Sequence, residues 1–112
     1  MMAGIKMVGV MELKRKLAGD AQMKSAKRIV LKNGAELQAR AQRNAPVDTG
    51  NLKRSIGLEI KDNGLTAESA AAAEYAPYVE YGTRFMKAQP FMGPAFNVQK
   101  KRFKSDMDKL VK

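Results

Sequence analysis

Residues 21–43 carry one narrow apolar stripe, Met23, Ala26, Val30, Gly34, Leu37 and Ala41, at steps of three and four. That spacing puts all six on one face of a helix. Lys24, Lys27, Arg28, Lys32, Arg40 and Arg43 occupy the other faces. Three of the six stripe residues are Ala or Gly, so the stripe is rich in small residues. Asp20 follows Gly19 and can cap the helix by accepting from the free amides of its first turn. Pro46 stops it. At about 1.5 Å per residue the helix is about 33 Å long.

The surface beneath it is a small sheet. Residues 56–61 alternate, with Ile56, Leu58 and Ile60 on one face and Gly57, Glu59 and Lys61 on the other. Asn63-Gly64 follows, a strong hairpin signal because both residues tolerate positive φ. Residues 65–73 return as the second strand. Their run of four alanines is helical by propensity alone, but the turn is the stronger signal. Small side chains on this strand let a helix lie close.

Upstream, residues 5–10 read as a short strand or an ordered lead-in. Val10, Leu13 and Leu17 have helical spacing. Downstream, residues 75–83 read as one or two helical turns. Pro77 suits the first position, and Gly82 suits a left-handed stop. Residues 84–89 read as a loop or short strand. Gly93-Pro94 opens a last helix with Phe96, Phe103, Met107 and Leu110 at helical spacing. The expected fold is α+β: a long N-terminal helix and a C-terminal helix packed on a small antiparallel sheet, with a hairpin at Asn63-Gly64, in a single domain over residues 1–112.

Lys and Arg number 21 against 11 acids, a formal charge of +10. Such a chain is drawn to polyanions or to acidic protein surfaces. There is no Cys and no His, so disulfides, thiol nucleophiles, Cys/His zinc sites and the usual neutral-pH base are excluded. No cofactor is expected. No apolar run approaches the ~18 residues of a membrane span, and the N-terminus reads as no signal peptide.

Asp48-Thr49-Gly50 is the triplet of the aspartic proteases. There it sits in a loop fed by apolar strands, and two carboxylates share one proton. Here a long basic helix precedes it and Asn51-Leu52-Lys53-Arg54-Ser55 follows. Pro46, Asp48, Thr49 and Gly50 therefore read as a structural turn, in which Asp48 accepts amide hydrogens and Gly50 permits an unusual φ. Leu52 and Ile56 fall four apart, so both can face the core. Glu59, Asp62, Glu68, Glu74 and Glu80 show no catalytic or metal spacing and read as solvated surface acids. No enzymatic activity is expected.

The stretch EYAPYVEYGTRFMKAQPFMGPAF holds six of the chain's seven aromatics in 23 residues. Some close the core. Others are candidates to anchor a partner, since Tyr and Phe are enriched at interface centres: Tyr78, Tyr81, Phe85, Met86, Phe91 and Met92. Phe91 has two candidate roles, an interface anchor or a cap on the core beneath the last helix. The segment 83–92 is the expected assembly element, variably placed in the free chain and ordered on a neighbour.

APVDTGNLKRSI, YAPYVEYGT and AQPFMGPAF, in that order, resemble the phage tail-completion and head-tail joining family, whose namesake is gene product ten of phage HK ninety-seven. The resemblance spans roughly residues 13–103. It places the family's recurring positions at Pro46, Asp48, Thr49, Gly50, Leu52, Ser55, Tyr75, Ala76, Val79, Glu80, Gly82, Thr83, Pro90, Phe91, Pro94 and Ala95. It implies a structural virion or prophage protein of the head-tail junction or tail terminus, present in the bacterial host cytoplasm before assembly. It also implies a homo-oligomeric ring, sixfold as phage tails commonly are, with tail-tube and head-connector proteins as partners. The alternative is a basic nucleic-acid-binding module without enzymatic activity. Its polyanion contacts would be Lys24, Lys27, Arg28, Lys100, Lys101, Arg102 and Lys104, which have no reading motif and so would bind DNA non-specifically.

Overall fold

The computed structural model describes residues 7–12, 20–46 and 50–110, with side chains over 22–46 and 51–110. Its elements are β1 (Met7–Glu12), α1 (Asp20–Asn44), α2 (Gly50–Ser55), β2 (Ile56–Lys61), β3 (Thr66–Ala71), α3 (Ala76–Tyr81) and α4 (Met92–Leu110). The three strands form one antiparallel sheet in the order β1-β3-β2. The alanine-rich strand is thus the central one. Pairing on both sides outweighs the helical propensity of its alanines.

α1 lies across this small-residue strand, whose small side chains let it come close. Ala26, Val30, Gly34, Leu37 and Ala41 are buried. A Cβ on Gly34 would come within 2.6 Å of the Ala67 Cβ and 3.0 Å of the Leu58 Cδ1, so helix and sheet can meet here only at a glycine. α4 runs antiparallel to α1. Asn44 at the end of α1 meets Phe91 at the start of α4, and Asn33 meets Asp106 near the α4 end. The core includes Val30, Leu37, Leu52, Ile56, Ala67, Ala71, Val79, Phe91 and Met92. Leu52 and Ile56 both reach it from the α2–β2 junction.

A polar seam between the helices was not legible in the spacing. Asn33 and Gln99 are fully buried yet bonded. Gln99 Nε2 donates to Asn33 Oδ1 at 2.6 Å and to Glu36 Oε1 at 2.9 Å, and Gln99 Oε1 accepts from Arg40 Nε at 2.9 Å. Asn33 Nδ2 donates to Ile29 O at 2.9 Å and Asp106 Oδ2 at 3.0 Å. A satisfied network of this kind favours one register of α1 on α4, because any slip leaves buried polar groups without partners.

The hairpin turn follows expectation in its backbone and differs in length. Asn63 (φ 56°) and Gly64 (φ 92°) are left-handed, but so is Asp62 (φ 55°). The connection spans residues 62–65 and is closed by Leu65 N–H donating to Asp62 O at 3.1 Å. Thr66 Oγ1 donates to Asp62 Oδ2 at 2.6 Å, so Asp62 shapes the turn instead of merely facing solvent. Glu68 hydrogen-bonds Lys61 at 3.1 Å, and with the charge of Glu59 it raises the Lys61 pKa above the usual lysine value.

Two expectations change at the N-terminal side. The strand read over 5–10 is present from Met7, but it runs on to Glu12, where a helix was expected from Val10. Val10, Met11 and Glu12 pair with Glu68, Ala67 and Thr66. The ladder groups on that side of β3 need partners, and that need outweighs a three-residue helical spacing. The remainder of that expected helix lies outside the described residues, and so does the Asp20 side chain. Val47 and the triplet residues Asp48 and Thr49 also lie outside them. The structure describes the flanks: Ala45 N–H closes α1 on Ala41 O at 3.0 Å, and α2 begins at Gly50.

Candidate assembly site

The aromatic stretch folds into α3, a loop over residues 83–90, and the start of α4. α3 is short, with Pro77 in its first turn. It buries Ala76, Val79 and Glu80 and leaves Tyr75, Tyr78 and Tyr81 outside. The helix stops at Gly82, whose N–H bonds Tyr78 O at 2.8 Å. Gly82 has the expected positive φ of 77°, but its ψ of 176° places it in an extended region essentially reserved for glycine. A Cβ there would lie 2.7 Å from Ala88 N and 2.9 Å from Met86 O.

Glu80 departs most from expectation. It is not a solvated acid: only 6% of it is exposed. Its Oε1 accepts from the amides of Phe91 at 3.0 Å and Met92 at 2.9 Å, and its Oε2 accepts from Gly93 at 3.0 Å. The first turn of a helix has free amides and a partial positive charge, and a carboxylate answers both. Pro94 has no amide to satisfy. Glu80 therefore caps α4 from eleven residues upstream of Phe91. A signal for this was present. No Ser, Thr, Asp or Asn precedes α4 in Gln89-Pro90-Phe91-Met92, so its cap had to come from elsewhere.

The base of the loop is pinned further. Asn44 Nδ2 donates to Phe91 O at 3.2 Å, and Gln89 N–H donates to Val79 O at 2.8 Å. Phe91 and Met92 belong to the core. Of the six interface candidates, the structure thus places these two inside, and Phe91 takes the core-capping role.

The other four are outside. Tyr78, Tyr81 (72% exposed), Phe85 (90% exposed) and Met86 form the accessible part of the stretch. Tyr78 and Tyr81 are on α3, and Phe85 and Met86 are on the loop, whose backbone bonds to itself. Thr83 N–H donates to Met86 O at 2.8 Å, Met86 N–H to Thr83 O at 3.3 Å, and Phe85 N–H to Thr83 Oγ1 at 3.1 Å. The Arg84 guanidinium stands 5.3 Å from the Phe85 ring centroid.

The seven polyanion candidates are all exposed and all lie on the helical layer. Lys24, Lys27 and Arg28 are on α1, and Lys100, Lys101, Arg102 and Lys104 are on α4. Lys100 sits 6.0 Å from the Phe96 ring centroid. Lys27 lays its stem against Gly64. Among the described residues no group of acids is placed to hold a metal ion, and no helix is long and apolar enough to cross a membrane.

The sequence places this helix-covered antiparallel sheet in a family. The profile of the bacteriophage HK97-gp10 tail-component family matches residues 11–82, well over half of the chain, and the chain belongs to that family. It is a structural phage protein, with its place in the virion. The match ends at Gly82, so the block AQPFMGPAF of the sequence resemblance lies beyond it. No curated protein and no solved structure matches the chain.

Proposed function

We propose that this tail component works at the head-tail junction or the tail terminus, where copies close into a ring and dock on tail-tube and connector proteins through residues 83–90. The observation that carries this reading is the contrast within the stretch from α3 to the start of α4. Its base is clamped by Glu80, Asn44 and the buried Phe91, while Phe85 and Tyr81 stand bare. Scattered exposed aromatics are ordinary, but large apolar side chains close together in sequence and bare beside a clamped base suit an interface. A loop already held in shape loses little entropy on docking.

Native mass spectrometry of the protein, alone and with its tail-tube protein, tests the reading. A closed ring is expected, sixfold if the family resemblance extends to symmetry. Phe85→Ala should melt like the parent and fail to assemble. Normal assembly by that variant would remove the loop from the interface.

A second reading concerns DNA. In the described ion pairs only Lys32 and Lys61 have carboxylate partners, which leaves the seven helical cations available to phosphate. They would contact a duplex passing the ring without reading its sequence. Binding that falls steeply with salt and ignores sequence is expected. Binding that prefers one base sequence at moderate salt would refute it.

A further inference from the structure

We propose that Arg84, stacked on the Phe85 ring, reads a carboxylate beside an apolar hollow on a partner protein other than a second copy of the chain. The proposal rests on the loop of residues 83–90 being the docking element and adds the chemistry of the surface it takes.

The turn places the pair. Thr83 and Met86 bond each other through both backbone groups, so Arg84 and Phe85 stand at the corner of a tight turn. Phe85 N–H is also held by Thr83 Oγ1. The Arg84 guanidinium lies over the Phe85 ring, within reach of a cation–π contact. Stacking uses a face of the guanidinium and leaves free the N–H donors, which lie in its plane. Donors in that fork match the two oxygens of a carboxylate. The stack also restricts both side chains before docking, so less entropy is lost when a partner arrives.

No described residue answers these donors. Glu80, the nearest acid in sequence, has both oxygens engaged by the amides of Phe91, Met92 and Gly93. Residues 81–105 contain no Asp and no Glu. Among the described residues the cations in ion pairs are Lys32 and Lys61, so neither Arg84 nor Lys87 has a carboxylate. Phe85 and Met86 are exposed beside them. An unpaired guanidinium next to an unburied ring is complementary to an acid next to an apolar hollow.

Two other partners fit this tip less well. A second copy carries the same formal charge of +10 and repels a cationic tip. Its Glu59 and Glu68 are already paired with Lys61. A nucleic acid offers phosphate to Arg84, but a duplex backbone has no apolar hollow for Phe85 and Met86. Arg, Met and aromatic side chains together are the composition of a protein interface centre. An acidic partner protein therefore satisfies both halves of the tip.

The test measures binding of the full-length chain to the tail-tube protein and to the head-connector protein of the same phage. Titration calorimetry at low and high salt gives affinity, and thermal melting controls for folding. Arg84→Ala and Phe85→Ala should each bind about 10–100-fold more weakly at unchanged melting temperature. Arg84→Lys should lose about 10-fold although it keeps the charge, because an ammonium has no planar fork of donors. Lys87→Ala should change binding by less than ~3-fold, as an exposed and unstacked charge. The salt dependence should flatten in Arg84→Ala and stay parental in Phe85→Ala. Parent-like binding by Arg84→Lys, or a parental salt dependence in Arg84→Ala, alongside failure of Phe85→Ala, would overturn the carboxylate and leave the docking loop standing. Parent-like binding by Phe85→Ala, or a parent that binds neither protein, would overturn both. Self-association lost in Arg84→Ala with partner binding intact would place the carboxylate on a second copy and overturn the partner. So would binding of a single-stranded oligonucleotide that Phe85→Ala abolishes, since a base would then stack on the ring.

Discussion

Phe85 and Phe91 belong to the same aromatic stretch, yet one is 90% exposed and the other fully buried. The tip of the loop and its base differ in what holds them. At the base, three amides converge on the Glu80 carboxylate, Asn44 takes the Phe91 carbonyl, and the ring enters the core. At the tip, the backbone bonds only to itself around Thr83 and Met86, and the side chains face water. The base therefore belongs to folding, while the tip is left to solvent. The difference arises from the clamp and not from composition.

The comparison predicts a graded series of stability losses, each read by urea or thermal unfolding. Phe91→Ala should cost most, about 3–5 kcal/mol, as it empties a large buried site. A loss under ~1 kcal/mol would place the ring outside the core and erase the contrast with Phe85. Glu80→Ala comes next at about 3 kcal/mol, because three amides lose a charged acceptor and two of those bonds are buried. Glu80→Gln should retain part of this, since a neutral amide oxygen still accepts. If Glu80→Ala unfolds no more easily than the parent, the carboxylate is not the clamp.

Gly82→Ala should cost roughly 1–3 kcal/mol, the range for a non-glycine residue forced into that backbone region. It should also disturb the tip, because the new Cβ presses on Ala88 and Met86. Phe85→Ala completes the series, with stability changed by no more than ~0.5 kcal/mol, as for other surface changes, while association is lost. Equal destabilisation by Phe85→Ala and Phe91→Ala would show that tip and base form one folding unit.

Much of the scaffold was legible because it is written in short periods. The α1 stripe, the alternation of β2, the Asn63-Gly64 turn and the Gly93-Pro94 helix start all depend on neighbours within a few residues. β1 was legible only in part, because a strand of six residues is completed by the strand it pairs with. The site was harder still. Tyr78, Tyr81, Phe85, Met86, Phe91 and Met92 share one composition, and no local pattern sorts the four outside from the two inside.

The sequence by itself determined the long helix α1, the β2–β3 hairpin and the last helix, and that small side chains on β3 let a helix lie close, since helical and extended backbones impose their own periods on apolar residues. It determined the net charge and the absence of Cys and His chemistry as well. Only the tertiary structure decided that Glu80 caps α4, that Asn33 and Gln99, 66 residues apart, satisfy each other inside the core, and that β2 is left with a free edge. Each of these is a pairing between distant residues. A buried polar group must find a partner, but chemistry alone does not say which; the partner is whichever group the packed elements bring within about 3 Å.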